Sequence, residues 1–195
     1  LAMSGGQIGC PIIMRGPNGS AGQLGAQHST AFESYLANIP GIKVVSPSNG
    51  YDAKGLLKQA IRYEEDPIMF LESEVMYGDK GLVPDGEYLI PIGKANIVKA
   101  GKDVTLVTFG KMLSRVVMPA VEELEKQGIS VEVIDVQTLL PFDRYHHILT
   151  SIQKTHRVLF ADEDMPGGTS AYMMQEVLDK QGAFSWLDSP ARCMA

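Results

Sequence analysis

Short runs of apolar residues alternate with apolar stripes of helical spacing in the first third of the chain. The runs at 12–14, 43–45 and 68–71 have the length and composition of buried strands. Between them, at 31–39 and 53–61, apolar residues recur every three or four positions, which is the spacing of one helix face. Strands and helices that alternate in this way are typical of a parallel sheet with right-handed crossovers.

Polar residues with helix-capping chemistry precede both helical stripes. Thr30 and Glu33 have the three-residue spacing of a capping box, in which each side chain bonds to the backbone of the other residue. Asn49 and Asp52 have the same spacing before the second stripe. We therefore expect the two helices to begin near Thr30 and near Asn49.

The alternating pattern lapses between Glu72 and Gly101 and then returns. Glycines and prolines are frequent in the gap and are interspersed with aromatic and aliphatic residues, which predicts a connection over the surface between two domains. We place one unit at residues 1–75, a linker at 76–102 and a second unit at 103–195.

The second unit repeats the alternation. Apolar runs predict strands at 104–109, 131–134 and 158–160. The stripe at 113–124 predicts a helix that kinks or starts late, because Pro119 lies inside it. Two later helices have residues that can cap them, namely Asp143 for the first and Thr169 or Ser170 for the second. The predicted fold class is α/β, with two three-layer units built on mostly parallel sheets.

Composition and charge narrow the class of protein. The chain has 17 basic and 23 acidic residues, a net charge of −6 and no run of lysines and arginines, which excludes an ordinary nucleic-acid-binding domain. Two cysteines cannot form a disulfide framework, which favours a reducing compartment. No apolar run approaches the ~18 residues of a membrane-spanning helix. The first residues have neither the basic region nor the long apolar core expected of a signal peptide. We expect a soluble intracellular protein, and a piece of a longer chain, since Met3 is preceded by two residues.

A glycine-rich segment at 15–25 lies between the first predicted strand and the first predicted helix. Phosphate-binding loops occupy this place in many folds, but the glycine spacing matches neither the P-loop nor the dinucleotide-binding motif. Two interpretations stay open. The glycines allow a ligand or another backbone to approach closely, or the segment is a long irregular turn.

His28 follows this segment, just before the predicted helix start. The amides of a helix N-terminus disfavour a charged imidazole, so a histidine there tends to be neutral and can donate and accept protons. In a parallel sheet the loop from strand to helix lies at the carboxyl end of the strands, where ligands bind. His28 is therefore a candidate for acid–base catalysis, against the alternative of a packing or surface residue.

Two groups of acidic residues follow predicted strands. The acids at 162–164 can bind a metal or a cationic partner, or they form a charged loop, which is the favoured interpretation. Glu72 and Glu74 alternate, so both can face the same side. They can act as a paired acid and base, or pair with arginines, and we favour the arginines.

The other histidines are weaker candidates. His146 and His147 are adjacent, and His156 lies nine residues further on. Metal-binding pairs on a helix need a spacing of four residues, so a solvated helix face is the favoured interpretation.

Six motifs occur along the chain in the same order as in one enzyme family. They are Arg15-Gly-Pro-Asn-Gly19, Gly25-Ala-Gln-His-Ser29, Asp52-Ala-Lys-Gly-Leu-Leu-Lys-Gln-Ala-Ile-Arg62, Met76-Tyr-Gly78, Pro91-Ile-Gly-Lys-Ala95 and Gly101-Lys-Asp-Val-Thr105. Together they resemble the β subunit of the thiamine-diphosphate-dependent 2-oxoacid decarboxylating component of pyruvate and branched-chain dehydrogenase complexes. The resemblance covers nearly the whole chain.

The resemblance implies a name for each unit. Residues 1–75 resemble the C-terminal half of a pyrimidine-binding domain, and residues 103–195 resemble an incomplete transketolase C-terminal-type domain. It also implies a longer natural chain, or α and β parts fused in one chain. The expected upstream portion holds the glutamate that bonds the aminopyrimidine ring of the cofactor, and the expected downstream segment docks on the acyltransferase core.

The resemblance also assigns roles to single residues. His28 matches the family's active-site histidine near the cofactor thiazolium, which serves proton transfer and reductive acylation of lipoyl groups. The family has a structural potassium site built largely from backbone carbonyls, and Ile12, Ala60, Ile61 and Tyr63 match its positions. The loop after Tyr63 is one residue longer than in the family, and Tyr63 replaces the usual aspartate.

The implied activity is oxidative decarboxylation of pyruvate or a branched-chain 2-oxoacid, with acyl transfer to a lipoyl domain. The implied cofactor is thiamine diphosphate with magnesium, shared with an α part that supplies its principal contacts. The implied partners are the α subunit or α part, a second β subunit, the lipoyl domain and the dihydrolipoyl acyltransferase core, with no nucleic acid and no membrane. The implied location is the bacterial cytoplasm or the mitochondrial matrix.

Two alternatives come from other classes. In the first, the chain is a non-catalytic assembly module, and His28 has no role in catalysis. In the second it is part of another thiamine enzyme, such as a transketolase or a deoxyxylulose-phosphate synthase. The Arg-Gly-Pro-Asn-Gly and Ala-Gln-His-Ser motifs argue against the second alternative.

Overall fold

The computed structural model describes residues 2–19, 25 and 29–195, and every element below lies in these ranges. The first part of the chain alternates strands and helices as predicted. Its elements are β1 (Ile13–Asn18), α1 (Glu33–Ala37), β2 (Lys43–Val45), α2 (Gly50–Ile61) and β3 (Ile68–Ser73).

The second part of the chain continues the alternation. Its strands are β4 (Asn96–Lys99), β5 (Val104–Thr108), β6 (Val131–Asp135), β7 (Thr138–Leu140), β8 (Val158–Ala161) and β9 (Arg192–Met194). Its α-helices are α3 (Met118–Lys126), α4 (His147–Thr155) and α5 (Thr169–Gln175). In the part of the chain that the structure describes, none of the helices is long and apolar enough to span a membrane.

The strands form two mostly parallel sheets. The first has the order β1-β3-β2-β7, in which β1, β3 and β2 are parallel and β7 is antiparallel to β2. The second has the order β4-β6-β5-β8-β9, with β4 antiparallel to β6 and the remaining pairs parallel. The predicted α/β fold class is confirmed.

The two faces of the first sheet pack against different cores. Val45 and Phe70 pack against α2, where Leu56 is fully buried. Val44 and Leu71 point to the opposite face, because successive side chains of a strand alternate, and they join the large core of the second sheet. That core continues through α4 and α5, so the two sheets share one apolar interior.

Strand β7 ties the two parts of the chain together. It lies at 138–140, within the predicted second unit, but it pairs with β2 of the first sheet through Val44 and Leu140. Strand β4 lies inside the predicted linker and pairs with β6 of the second sheet. The boundaries at 1–75, 76–102 and 103–195 stay a prediction.

One of the two predicted helix caps forms. The side chain of Asn49 accepts a hydrogen bond of 2.9 Å from the amide of Asp52, as the spacing predicted. The expected cap at Thr30 is wrong, since the residue before α1 is Phe32 and no side chain caps it locally. Glu33 is instead buried, and it bonds to a residue of β1.

Of the three remaining helix starts, two agree with the sequence-based expectation and one differs. Residues 113–117 form a π-helical turn, so the α-helix starts late, with Pro119 in its first turn. Asp143 caps α4 as predicted, because its carboxylate accepts from the amides of His147 and Ile148. No side-chain cap forms at Thr169, where the preceding Gly168 takes the capping position.

The predicted linker packs closely on α2. The amide of Ile90 donates to the carbonyl of Gly55, and the ring of Tyr88 stacks on Tyr51 with a centroid distance of 4.4 Å. A Cβ at position 55 would lie 2.7 Å from Ile90 Cγ1. Gly55 is therefore needed for the close approach of the linker to the helix.

Candidate active site

The carboxyl ends of the two sheets face each other. Because neighbouring parallel strands end on the same side, β1, β2 and β3 present one edge, and β5, β6 and β8 present another. The amide of Ser46, after β2, donates to the carbonyl of Gln137, after β6, at 2.9 Å. Ligands of parallel α/β sheets bind at such edges. His28, the predicted catalytic residue, lies outside the described residues.

The end of β1 is bonded to the start of α1. The side-chain amide of Asn18 donates to Oε1 of Glu33 at 2.6 Å, and its oxygen accepts from the amide of Phe32 at 2.9 Å. Glu33 is 2% exposed. Its second oxygen, Oε2, is buried without a hydrogen-bond partner in the part of the chain that the structure describes.

Burial changes the proton affinity of Glu33. Removal from water raises the pKa of its carboxyl group to about 7, and the amide of Asn18 opposes this rise by stabilising the anion. The carboxylates of Glu163 and Asp164 add to the rise by repulsion. Glu33 can therefore gain or lose a proton near neutral pH, as acid–base groups at active sites do.

The acidic loop after β8 closes this edge from the second sheet. A Cβ at Gly19 would lie 2.5 Å from Oε1 of Glu163, so a side chain at this position would require the carboxylate to shift. Gly19 also has φ +92°, a conformation that glycine adopts readily. Lys111, which follows β5, forms an ion pair with Glu163. The side chain of Ser34 in α1 donates to Asp164 at 2.8 Å.

The acids at 162–164 are thus a structural charged loop with a cationic partner from the same chain. The pKa of Asp162 is raised to about 6, chiefly by burial, while the amide of Asp164 donates to it and opposes the rise. Within residues 2–19, 25 and 29–195 no group of three or more His, Cys, Asp and Glu side chains is arranged to hold a metal ion.

Glu72 lies at the end of β3 and pairs with an arginine, as favoured from the sequence. The distance from Arg15 Nη2 to Glu72 Oε1 is 2.7 Å, and the hydroxyl of Tyr77 donates to Oε2 at 3.0 Å. The side chains of Arg15 and Tyr77 line a cavity of about 240 Å³ beside the start of α2. The expected arginine for Glu74 is wrong, since the ion pairs of the described residues do not include Glu74.

Two buried acids, Asp135 at the end of β6 and Asp52 in the first turn of α2, influence each other's charge. Asp135 is fully buried, and removal from water, together with the neighbouring carboxylate of Asp52, raises its pKa to about 8. Burial also raises the pKa of Asp52 to about 6, against hydrogen bonds from Asn49 and Gln137. Two carboxyl groups this close in a low-dielectric interior disfavour simultaneous ionisation.

The histidines of α4 only partly match the predicted solvated face. His146 is exposed, in agreement with that interpretation. The prediction of a solvated face is wrong for His147 and His156. Nδ1 of His147 lies 2.7 Å from the carbonyl oxygen of Ala95, and Nδ1 of His156 lies 2.8 Å from the carbonyl oxygen of Trp186. These rings attach the two ends of α4 to neighbouring segments.

The residues predicted for potassium lie near the opposite, amino end of β1 and the end of α2. The carbonyl of Ile12 accepts from the amide of Ile68, and that of Ala60 accepts from the amide of Tyr63. Ile61 is exposed. A carbonyl oxygen has two lone pairs, so these bonds neither exclude nor supply a cation ligand, and the site stays a prediction.

Sequence reasoning passed over three polar residues that the structure buries at these edges. From the sequence, Asn18 is only part of a glycine-rich motif, and Glu33 is expected to form a capping box with Thr30. Asp135 carried a usable signal, because a charged residue at the carboxyl end of the apolar run 131–134 stands where parallel strands place their ligands.

Known proteins resemble this chain over nearly all of its length. It is 43% identical over 198 residues to the pyruvate dehydrogenase E1 component subunit beta-1, mitochondrial, of Arabidopsis thaliana, covering 99% of this chain and 53% of that protein. It is 43% identical to the pyruvate dehydrogenase E1 component subunit beta of Rhizobium meliloti (strain 1021), covering 100% of this chain and 42% of that protein. The chain thus spans about half the length of these curated relatives, and the resemblance to this family of β subunits is confirmed.

The fold has a match among solved structures. A protein described as "Split gene transketolase, inactive beta4 tetramer" superposes with a TM-score of 0.73 over 93% of this chain and 55% of that chain, at 24% identity. Two family profiles match the sequence, "Transketolase, pyrimidine binding domain" at residues 1–80 and "Transketolase, C-terminal domain" at residues 93–195. Because the second profile covers more than half of the chain, the chain belongs to the transketolase C-terminal domain family.

Proposed function

We propose that this chain is part of the β component of a 2-oxoacid dehydrogenase, which decarboxylates pyruvate or a branched-chain 2-oxoacid and transfers the acyl group to a lipoyl domain. The observation that carries the proposal is the 43% identity to pyruvate dehydrogenase E1 beta subunits across 99–100% of the chain. The meeting carboxyl edges of the two sheets, with their ionisable groups of raised pKa, support a catalytic role for this end of the molecule.

Thiamine diphosphate is the cofactor of this proposal, and when bound it supplies the carbanion chemistry. Its diphosphate needs cations, but Arg15 and Lys111 at the described edge are each paired with a carboxylate. The described residues therefore do not fit the diphosphate group or its magnesium ion. This agrees with the proposal that an α part holds both of them.

His28 is the residue of this chain that we assign to acid–base chemistry. In the proposed role it holds and transfers a proton during acyl transfer to the lipoyl sulfur. In chain order His28 lies between β1 and α1. An imidazole suits this task because its ordinary pKa lies near neutral pH.

The proposed partners are an α subunit or α part, a second β subunit, a lipoyl domain and the acyltransferase core. Strand β1 supports a neighbour on the first sheet, since it forms the edge of that sheet and exposes Ile12 and Met14 beside it. The proposed location is the bacterial cytoplasm or the mitochondrial matrix, because relatives include bacterial and mitochondrial proteins. A structural potassium ion at Ile12, Ala60, Ile61 and Tyr63 belongs to the same proposal.

The test is His28→Ala in the natural full-length protein, purified with its α partner. We expect acyl transfer to a lipoyl domain to fall by roughly 100-fold or more, the scale of a lost acid–base group. His146→Ala is the matched control, because His146 is exposed, and it should keep the wild-type rate.

Light scattering of the same sample measures the mass of the assembly and so tests the α partner and the second β subunit. A wild-type rate for His28→Ala in an intact assembly would overturn the catalytic role of His28 and favour the assembly-module alternative. Activity on sugar phosphates instead of 2-oxoacids would favour another thiamine enzyme.

A further inference from the structure

Three hydrogen bonds join the two ends of the segment between β1 and α1. The amide of Gly19 donates to the carbonyl of Thr30 at 3.1 Å. The side chain of Asn18 accepts from the amide of Phe32 and donates to the carboxylate of Glu33. We call Asn18 and Glu33, with the two bonds that Asn18 makes to Phe32 and Glu33, the stem clamp.

The stem clamp is built differently from an ordinary helix cap. A local cap such as Thr30 would satisfy the first amides of α1 without holding the helix to anything else. Asn18 lies 14 residues before Phe32 and satisfies the same amide from the end of a strand. The start of α1 is thereby fixed to the carboxyl edge of the first sheet.

Both side chains of the stem clamp are buried, with 7% of Asn18 and 2% of Glu33 exposed. A buried carboxyl group with one oxygen lacking a partner lowers stability, so a helix start needed only for folding would be better served by a neutral residue. Residues that lower stability in this way are characteristic of functional sites.

We propose that Asn18 and Glu33 are positioning residues for acyl transfer, which hold both ends of the segment that carries His28. This inference rests on the proposed function. It assigns no contact with the substrate to either residue, because their bonds are to each other and to the backbone of Phe32.

The experiment uses the full-length protein assembled with its α partner and measures two reactions. Acyl transfer to a lipoyl domain is compared with decarboxylation followed by an artificial electron acceptor, which needs no lipoyl group. For Asn18→Ala we expect acyl transfer to fall about tenfold or more, the effect of misplacing a reacting group, and decarboxylation to stay within about threefold. Asn38→Ala is the matched control, since Asn38 bonds the carbonyl of Ser34 on the exposed side of α1.

Glu33 offers a conservative rescue. Glu33→Gln keeps an oxygen that can accept from Asn18, so acyl transfer should remain within about threefold of the wild type, whereas Glu33→Ala should fall about tenfold. Combining Asn18→Ala with His28→Ala should cause no further loss beyond His28→Ala alone, because a group already removed cannot be misplaced.

Three results would overturn the inference: a wild-type rate for Asn18→Ala, an equal fall in both reactions, or a further tenfold loss in the double variant. Should Asn18→Ala fail to assemble, the comparison of Glu33→Gln with Glu33→Ala decides, and equal rates for those two variants overturn the inference. His28→Ala by itself reports on the proposed function, so a large effect of His28→Ala with none from Asn18→Ala rejects the stem clamp alone.

Discussion

The first sheet and the second sheet are built to similar plans but packed differently. Among the described residues, the separate core of the first sheet is a small cluster between β2, β3 and α2, formed by Val45, Leu56, Ala60, Ile68 and Phe70. The second sheet has apolar clusters on both faces, and one of them also covers the second face of the first sheet. The first sheet therefore depends on its neighbour to bury one of its two faces.

The polar interior also differs between the two regions. At the first sheet, Asn18 and Glu72 are buried near the carboxyl ends of β1 and β3, where Glu72 pairs with Arg15. Glu33 is buried at the start of α1 and accepts a hydrogen bond from Asn18. At the second sheet, Asp135 and Asp162 follow apolar strands and are buried with raised pKa values. Buried ionisable groups of the candidate site thus lie at the carboxyl ends of both sheets, which is the pattern expected where function limits stability.

The largest expected effect compares one deletion in the two cores. Phe160→Ala and Phe70→Ala each remove a fully buried ring, and each should lower the free energy of unfolding by about 3–5 kcal/mol. Because Val44 and Leu71 join the first sheet to the large core, both variants should shift one common transition. Urea denaturation followed by circular dichroism and by the fluorescence of Trp186 measures this, and two separate transitions would show that the sheets unfold independently.

The next effect concerns how the free energy of unfolding depends on pH. Asp135 has a raised folded pKa of about 8, so the folded state keeps a proton that the unfolded chain releases above about pH 4. Stability from this group is therefore full at low pH and is lost as pH rises towards 8, with a slope of up to about 1.4 kcal/mol per pH unit. Glu33, Asp52 and Asp162 have the same sign, with folded pKa values of about 6–7.

Asp135→Asn removes the ionisable carboxyl group but keeps a side-chain oxygen that can accept from the amide of Gln137. We expect this variant to match the wild type near pH 5 and to be more stable near pH 8, in thermal unfolding measured at both values. Glu123→Gln, which alters an exposed ion pair with Lys126, is the control and should leave the pH dependence unchanged. If Asp135→Asn shows the same change of stability with pH as the wild type, Asp135 and Asp52 do not cause the pH dependence.

The smallest effect tests the linker between the two regions. Gly55→Ala places a methyl group within 2.8 Å of Ile90 and Tyr88 and should destabilise the chain by about 1–3 kcal/mol. Gly81→Ala is the control, since nothing lies within 4 Å of a Cβ there. Equal stability of the two variants, measured by chemical denaturation, would show that the linker moves aside easily.

Periodicity predicted most of the fold because each sheet follows local rules. The runs at 43–45, 68–71 and 158–160 became strands, and the stripe before Arg62 became α2 with the Asn49 cap. Local rules were not enough at α1. There the apolar spacing predicted a helix of about nine residues from Thr30, whereas the described helix has five, and the amide of Phe32 just before it donates to Asn18 of β1.

The candidate site was predictable only in part. The place of the glycine-rich segment and of His28 followed from the order of strand and helix, and the family followed from ordered motifs. The partners of buried acids did not, since Glu33 and Asn18 are 15 residues apart and Gly19 and Glu163 are 144 apart. Such pairs form only when two strand ends are brought together.

The sequence by itself determined the alternation of strands and helices, the parallel sheets and the excess of acidic over basic residues. These depend on the spacing of apolar residues and on composition, which any stretch of chain carries locally. Only the tertiary structure decided that β7 leaves the second part of the chain to complete the first sheet, and that the carboxyl edges of both sheets meet. It also decided which acids are buried, because desolvation and repulsion between carboxylates depend on neighbours that the chain order does not reveal.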